Sequence, residues 1–222
     1  VKLSPRSLAY IVSELQRYSL LNTQIDIKGK AYEEIVGANL RGDRGEFFTP
    51  RNVMKMTVEM IHPKIDERVL DSSCGTGGFL VTAMTHAIAQ LEQQMESSLG
   101  IKRDRWDMDT VRAFQDKIAE MAACNYFGFD LNPDLVKATK MNMVMNNDGS
   151  GNILQTNSLL PPHEWTADFR ARLAGALGID QNALRSHDTI AYFNVIVTNP
   201  PFGIKLPIKD KHILEQFDLA HV

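Results

Sequence analysis

The residues best suited to chemistry form the run Asn199-Pro200-Pro201-Phe202, directly after an apolar stretch, residues 193–198, with the pattern of a buried strand. The Asn199 amide offers a carbonyl acceptor, and Pro200 fixes its φ at about −65° while keeping its own carbonyl as a second acceptor. Two such acceptors can hold an exocyclic amino group, and the Phe202 ring can stack on the ring that carries this amine. The alternative interpretation is a strand that stops at a Pro-Pro turn.

A second candidate is a glycine turn after another short apolar run. Asp71 is followed by Ser72-Ser73-Cys74-Gly75-Thr76-Gly77-Gly78, and a helical pattern resumes at Phe79. Because glycine has no Cβ, such a turn lets the backbone approach a ligand closely, as a nucleoside cofactor requires. The spacing is neither the dinucleotide fingerprint nor a phosphate loop. A purely structural turn remains the alternative.

Asp130 ends a third apolar run, residues 126–129. Doubly wound folds place at this position the carboxylate that accepts hydrogen bonds from ribose hydroxyls. Asp130 comes 59 residues after Asp71, whereas the usual separation is about 20, so an insertion must lie between them. The alternative is a turn aspartate that caps the helix beginning at Pro133.

The elements that position these residues alternate along the chain. Strands are predicted around residues 68–70, 126–129 and 153–155 and at Val195. Helices are predicted between them, at residues 79–96, at residues 110–123, from Pro133 onward and within residues 165–184. Strands that alternate with helices predict a parallel sheet covered on both faces.

Two further helical regions precede the sheet. Residues 5–40 have helical spacing, broken near Asn22 and Gly29. Thr49-Pro50 predicts the start of another helix, with Thr49 as its N-cap and Pro50 in the first turn. The apolar face of that helix is predicted from four residues: Val53, Met56, Met60 and Ile61.

Composition narrows the class of protein. The chain has 222 residues, 44% of them hydrophobic, enough for one substantial core. No apolar run is long enough for a membrane span and no signal peptide is recognisable, so a cytoplasmic location is expected. Cys74 and Cys124 suggest neither a disulfide framework nor a zinc site. The net charge of −3 argues against a strongly basic nucleic-acid-binding protein, but allows a local basic surface or a partner that supplies one.

Four segments, in this order, resemble the adenine-specific DNA methyltransferases, and most closely the modification subunit of type I restriction-modification systems. Residues 45–51 look like the segment that precedes the sheet and helps to hold S-adenosylmethionine, and residues 71–79 look like the cofactor-binding glycine motif. Residues 128–133 look like the ribose-binding motif, and residues 199–202 look like the catalytic motif.

The resemblance implies an α/β fold, the Rossmann-like, doubly wound and mostly parallel sheet of S-adenosylmethionine-dependent methyltransferases. It divides the chain into an N-terminal helical extension, residues 1–44, and a catalytic domain, residues 45–222. Because this class has seven strands and only four precede the catalytic turn, the fold is expected to be truncated after the fourth strand and incomplete at its C-terminus.

The resemblance also carries over site residues. The catalytic set is Asn199, Pro200, Pro201 and Phe202, and no metal ligand is implied. Two positions depart from the family pattern: Ser72 stands where proline is frequent, and Asn157-Ser158 where an acid is common. The implied cofactor-binding residues are Phe48, Thr49, Asp71, Ser73, Gly75, Thr76, Gly77, Gly78, Phe79, Asp130, Leu131, Asn157 and Ser158.

The implied activity is methyl transfer from S-adenosylmethionine to the N6 amine of an adenine flipped out of double-stranded DNA, with a specificity subunit and a restriction subunit as partners. Cys74 is interpreted as a small packed residue of the turn rather than a nucleophile. Three alternatives stay open: methylation of a protein glutamine amide, which usually has Tyr as the fourth motif residue; methylation of the cytosine amine, more often with Ser first; and a non-catalytic cofactor-binding or assembly module.

Overall fold

The computed structural model describes residues 4–17, 49–146, 148–185, 191–201 and 208–218. The chain divides into two compact units, Val1–Asn39 and Leu40–Val222. The described part of the first unit is helix α1 (Pro5–Leu15), whose N-cap Ser4 accepts a hydrogen bond from the Ser7 N–H at 3.1 Å. The rest of the predicted N-terminal helical region, and the candidate residues Phe48 and Phe202, lie outside the described residues.

The second unit contains a sheet of four parallel strands, as the alternation of elements predicts. The strands are β1 (Val69–Asp71), β2 (Tyr126–Asp130), β3 (Ile153–Gln155) and β4 (Val195–Ile196), in the spatial order β3-β2-β1-β4. In the central strand, Leu70 pairs with Phe127 on one side and with Ile196 on the other. The order of strands reverses between β1 and β4, which is where ligands bind in open α/β sheets.

Six α-helices are described in this unit, two of them a few residues longer than the sequence pattern indicates. Their bounds are α2 (Arg51–Ile61), α3 (Gly78–Leu99), α4 (Met108–Asn125), α5 (Pro133–Met145), α6 (Ala167–Leu177) and α7 (Lys211–Leu214). None of the described helices is long and apolar enough to cross a membrane.

Apolar residues pack on both faces of β1, β2 and β3, whereas the edge strand β4 is less buried than its apolar pattern predicts, with Ile196 41% exposed. Val69 and Ile153 belong to one buried cluster, with residues of α3 and α5, whereas their neighbours Leu70 and Leu154 belong to another, with residues of α6. Successive strand residues point to opposite faces, so these clusters are the two halves of the core. Each fully buried large apolar side chain contributes roughly 1.5–3 kcal/mol to this packing.

The start of α2 differs from the prediction. The Pro50 carbonyl accepts the N–H groups of Val53 at 3.0 Å and Met54 at 3.1 Å, which makes Pro50 the N-cap and places Thr49 one residue before it. A threonine side chain caps only from the N-cap position itself. The hydroxyl of Thr49 is therefore available for a contact elsewhere in the fold.

The predicted apolar face of α2 is also wrong. Its buried residues are Met54 and Val58, in the core cluster that includes residues of α3, whereas the four predicted residues are 39–77% exposed. The helix has apolar side chains on more than one side, and spacing alone cannot say which side faces the core.

Candidate functional site

The carboxyl ends of all four strands meet at one edge of the sheet, because the strands are parallel. Asp71 is the last residue of β1 and Asp130 the last residue of β2. Asn157 follows β3 by two residues, and Asn199 follows β4 by three. The fold thus brings candidates from four separate parts of the sequence to the same edge.

The buried carboxyl group of Asp71 joins the glycine turn to the end of β4. Asp71 is 2% exposed, and its Oδ1 accepts the Ser73 N–H at 3.1 Å. The Thr198 hydroxyl also donates to this carboxyl group, from the residue directly before Asn199. Burial raises the pKa of Asp71 to about 7, and the negative charge of Asp130 adds to this, while the two hydrogen bonds oppose it.

Asp130 fastens the same turn to β2. Its Oδ2 accepts the Gly75 N–H at 2.9 Å and its Oδ1 accepts the Asn132 N–H at 2.8 Å, and the Leu131 N–H also favours its charged form. Burial nevertheless raises the pKa of Asp130 above its ordinary value. A carboxylate has about four acceptor positions, so about one remains for a ligand hydroxyl.

Two glycines of the turn have left-handed backbone conformations but different surroundings. Gly75 has φ +54°, and a Cβ built there would meet no atom of the described residues within 4 Å. Gly77 has φ +81°, and a Cβ there would lie 2.8 Å from the Thr139 Cγ2. The backbone at Gly75 is therefore open to a ligand, whereas Gly77 permits close packing against α5.

Two polar residues of α5 complete the support of the turn. The Thr139 hydroxyl donates to the Gly75 carbonyl at 2.6 Å, and the Asn142 Nδ2 donates to the Thr76 carbonyl at 2.8 Å. Thr139 is 0% and Asn142 6% exposed. The sequence alone does not assign them to the site; the signal that could have found them is a polar pair, three residues apart, on the buried face of a predicted helix.

Cys74 is packed inside this turn. It is 5% exposed, and its Sγ donates to the Thr139 Oγ1 at 3.7 Å. Burial raises the pKa of the Cys74 thiol, and the charges of Asp71 and Asp130 raise it further. A neutral, enclosed thiol is a poor nucleophile, which agrees with its interpretation as a packed residue.

Asn199 contacts Thr49, the residue before the N-cap of α2. Its Nδ2 donates to the Thr49 Oγ1 at 2.9 Å. Both residues line a cavity of about 640 Å³ together with Pro50, Val53 and Phe79. Phe79 is also part of the core beside α3, with 7% of its surface exposed, while Pro200 and Pro201 are exposed.

The other predicted cofactor residues lie beyond β2 and β3. Leu131, which is 64% exposed, and Asn157 line a second cavity of about 410 Å³. The Asn157 Oδ1 accepts the Leu159 N–H at 3.1 Å, and the Ser158 hydroxyl donates to the Ser72 carbonyl at 2.7 Å. The candidate residues thus form a hydrogen-bonded centre at the glycine turn with one cavity near β4 and another near β3.

Known proteins with sequences similar to this chain include a restriction enzyme and methyltransferase and a methylase subunit of another restriction enzyme. The type II restriction enzyme and methyltransferase RM.BcgI of Heyndrickxia coagulans is 30% identical over 196 residues, which is 87% of this chain and 24% of that protein. The methylase subunit of the type I restriction enzyme EcoKI of Escherichia coli K12 is 25% identical over 207 residues, 90% of this chain and 32% of that subunit. The chain therefore spans about a quarter to a third of the length of these relatives.

The fold has a solved counterpart. It is the crystal structure of a modification subunit assigned to a type I restriction enzyme of Vibrio vulnificus YJ016. The alignment covers 88% of this chain and 32% of that subunit, with a TM-score of 0.50 and 25% sequence identity. The family described as N-6 DNA methylase matches residues 23–221, which include all four motif segments. This chain belongs to the N-6 DNA methylase family.

Proposed function

We propose that this chain is the catalytic part of a DNA methyltransferase of a restriction-modification system, and that it transfers a methyl group from S-adenosylmethionine to the N6 amine of adenine. The observation that carries the proposal is the placement of Asn199 and the glycine turn at the carboxyl ends of the adjacent parallel strands β4 and β1. An amine acceptor and a cofactor cradle are then neighbours, and the Asp71–Thr198 hydrogen bond links them.

The residues at the turn fit the methyl donor. The backbone at Gly75 faces open space, so the body of a nucleoside can approach it. Asp130 retains acceptor capacity for a ribose hydroxyl, and Leu131 and Asn157 line an adjoining cavity with apolar surface and an amide. Of the thirteen residues that the resemblance implies, we assign twelve to cofactor binding, Phe48 among them; Thr49 is the exception, because its hydroxyl bonds to Asn199. When bound, S-adenosylmethionine supplies an electrophilic methyl group on a positively charged sulfur.

The catalytic residues act by orientation and electrostatics. The Asn199 side-chain carbonyl and the Pro200 backbone carbonyl accept the two N–H groups of the target amine, which shifts electron density onto its nitrogen and fixes the direction of attack. The amine nitrogen bonds to the methyl carbon as the carbon–sulfur bond breaks, and one amine proton passes to solvent. Phe202 serves as the surface on which the extruded base stacks.

The partners and the domain arrangement belong to the same proposal. Methylation of a paired adenine requires double-stranded DNA with this base flipped out. The net charge of −3 leaves room for a partner that supplies phosphate contacts. We propose that a specificity subunit supplies these contacts and the sequence recognition, and that a restriction subunit completes the system. Residues 1–44 are the helical extension, residues 45–222 the catalytic domain, and the enzyme acts in the cytoplasm.

The test is the identity of the methylated product. The protein, purified with its native partners, is incubated with S-adenosylmethionine labelled in its methyl group and with unmethylated genomic DNA, and the digested nucleosides are separated by mass spectrometry. We expect the label in N6-methyladenine. Label in methylcytosine would contradict the proposal and favour methylation of the cytosine amine. The absence of any labelled nucleoside would also contradict it; digestion of the protein fraction of the same reaction then separates glutamine methylation, which leaves label there, from a non-catalytic module, which leaves none.

A further inference from the structure

We infer that Thr49 is a positioning residue, which orients the amide of Asn199 for the target amine rather than contacting the cofactor. This inference deepens the proposed function and rests on it. The Thr49 hydroxyl does not serve as the N-cap of α2, since Pro50 occupies that position. It accepts instead the hydrogen bond from the Asn199 Nδ2 at 2.9 Å, across 150 positions of sequence.

The orientation of this amide decides whether it can act. An asparagine side chain has a donor end and an acceptor end, and a half-turn about its last bond exchanges them. A target amine needs the carbonyl oxygen, because it offers N–H groups. With the Asn199 nitrogen committed to Thr49, the oxygen is the end of the amide that can accept from the amine.

Thr49 lies just before α2, which packs against the helix that follows the glycine turn. It directly precedes Pro50, whose carbonyl begins the hydrogen bonding of α2. Met54 and Val58 of that helix lie in the same buried cluster as residues of α3. The packing at Gly78, the first residue of α3, is so close that a Cβ there would lie 2.6 Å from the Met54 Sδ. The start of α2 is thus packed against the helix that follows the glycine turn, and the Thr49–Asn199 hydrogen bond ties the Asn199 amide to this packed unit.

The experiment uses five variants of the protein purified with its native partners, one of them Asn199→Ala. Thr49→Val removes the hydroxyl at constant shape, Thr49→Ala removes it without adding a methyl group to the cavity, and Thr49→Ser retains it. Thr85→Val is the matched control, because the Thr85 hydroxyl donates to the Val81 carbonyl of its own helix at 2.8 Å. Single-turnover methyl transfer to DNA, calorimetric affinity for S-adenosylmethionine and melting temperature are measured for each.

We expect Thr49→Val and Thr49→Ala to slow methyl transfer by about tenfold or more, the effect of one lost orienting hydrogen bond. Their cofactor affinity should stay within about twofold of wild type, a difference well below 1 kcal/mol, and Thr49→Ser should restore most of the rate. If Thr49→Val fails to fold, the Ala and Ser pair decides the question.

Three results would overturn the inference: wild-type transfer by Thr49→Ala, a loss of cofactor affinity that accounts for the lost rate, or a serine variant as slow as alanine. Asn199→Ala in the same assay separates this outcome from failure of the proposed function. If Asn199→Ala is inactive while the Thr49 variants are fully active, only the positioning role fails. If Asn199→Ala retains the wild-type rate, the proposed catalytic role fails as well.

Discussion

The two left-handed glycines of the turn should respond differently to the same substitution. Gly75→Ala and Gly77→Ala each place a Cβ on a residue with positive φ, at +54° and +81°. An L-residue in this region costs about 1–2 kcal/mol. For Gly75 this strain is the whole expected loss of folding stability, because the added Cβ meets no atom of the described residues within 4 Å.

At Gly77 a steric term is added to the strain. The Cβ would lie 2.8 Å from the Cγ2 of Thr139, which is 0% exposed and whose hydroxyl is bonded to the Gly75 carbonyl. Overpacking at such a site costs roughly 1–3 kcal/mol more, so Gly77→Ala should lose about 2–5 kcal/mol in total. For a chain of this size 1 kcal/mol corresponds to about 2–4 °C in melting temperature, which separates the two variants by roughly 2–12 °C.

Thermal unfolding followed by circular dichroism measures this difference, and titration calorimetry measures affinity for S-adenosylmethionine. Gly75→Ala should keep most of its stability but bind the cofactor more weakly, since its methyl group enters the space that the ligand needs. Equal losses of melting temperature in the two variants would refute the packing argument. Wild-type cofactor affinity in Gly75→Ala would refute the role of the open turn.

Two further predictions concern the carboxyl groups of the site. The pKa of Asp71 is about 7 in the folded protein against 3.8 for a free side chain, so the folded state holds the proton more tightly than the unfolded state does. The free energy of unfolding should therefore fall as pH rises from about 4 to 7. At about 1.4 kcal/mol per pH unit, the fall is on the order of 4 kcal/mol. Asp71→Asn should flatten this part of the profile in urea-unfolding experiments, and an unchanged slope would contradict the burial argument. Asp130→Ala should lower the affinity for S-adenosylmethionine, measured by calorimetry, by about tenfold or more. The substitution removes both the acceptor for the ribose hydroxyl and the carboxylate that holds the Gly75 N–H. Unchanged affinity would argue against both roles.

The sheet is predictable from the sequence because its signals are local. Each strand is a short apolar run that ends at a polar residue or at glycines, as at Asp71 and Asp130, and each is followed by helical spacing. A buried strand between helices leaves few alternatives to a parallel sheet, and the structure confirms this prediction. The shortness of β4, with only two residues in regular pairing, does not follow from its longer apolar run.

The predictions from sequence fail where tertiary contacts override the local preference of a segment for a particular helix cap or buried face. Thr49-Pro50 has the composition of a capped helix start, yet the carbonyl of Pro50 begins the helix and the threonine hydroxyl bonds to Asn199. The buried side of α2 is set by its packing with α3 and not by spacing. Thr139 supports the turn from a different helix, and no local pattern connects it with Gly75.

The central claim is that Asn199 holds the adenine amine for methylation, and nucleoside mass spectrometry of DNA treated with wild-type protein and with Asn199→Ala tests it most directly. Both proteins are assembled with their native partners, and calorimetry establishes that each binds S-adenosylmethionine. We predict N6-methyladenine from the wild type and a fall of at least about a hundredfold in Asn199→Ala at nearly equal cofactor affinity, since removal of one such transition-state contact typically costs about 10²–10³ in rate. Formation of N6-methyladenine by Asn199→Ala at the wild-type rate would contradict the account.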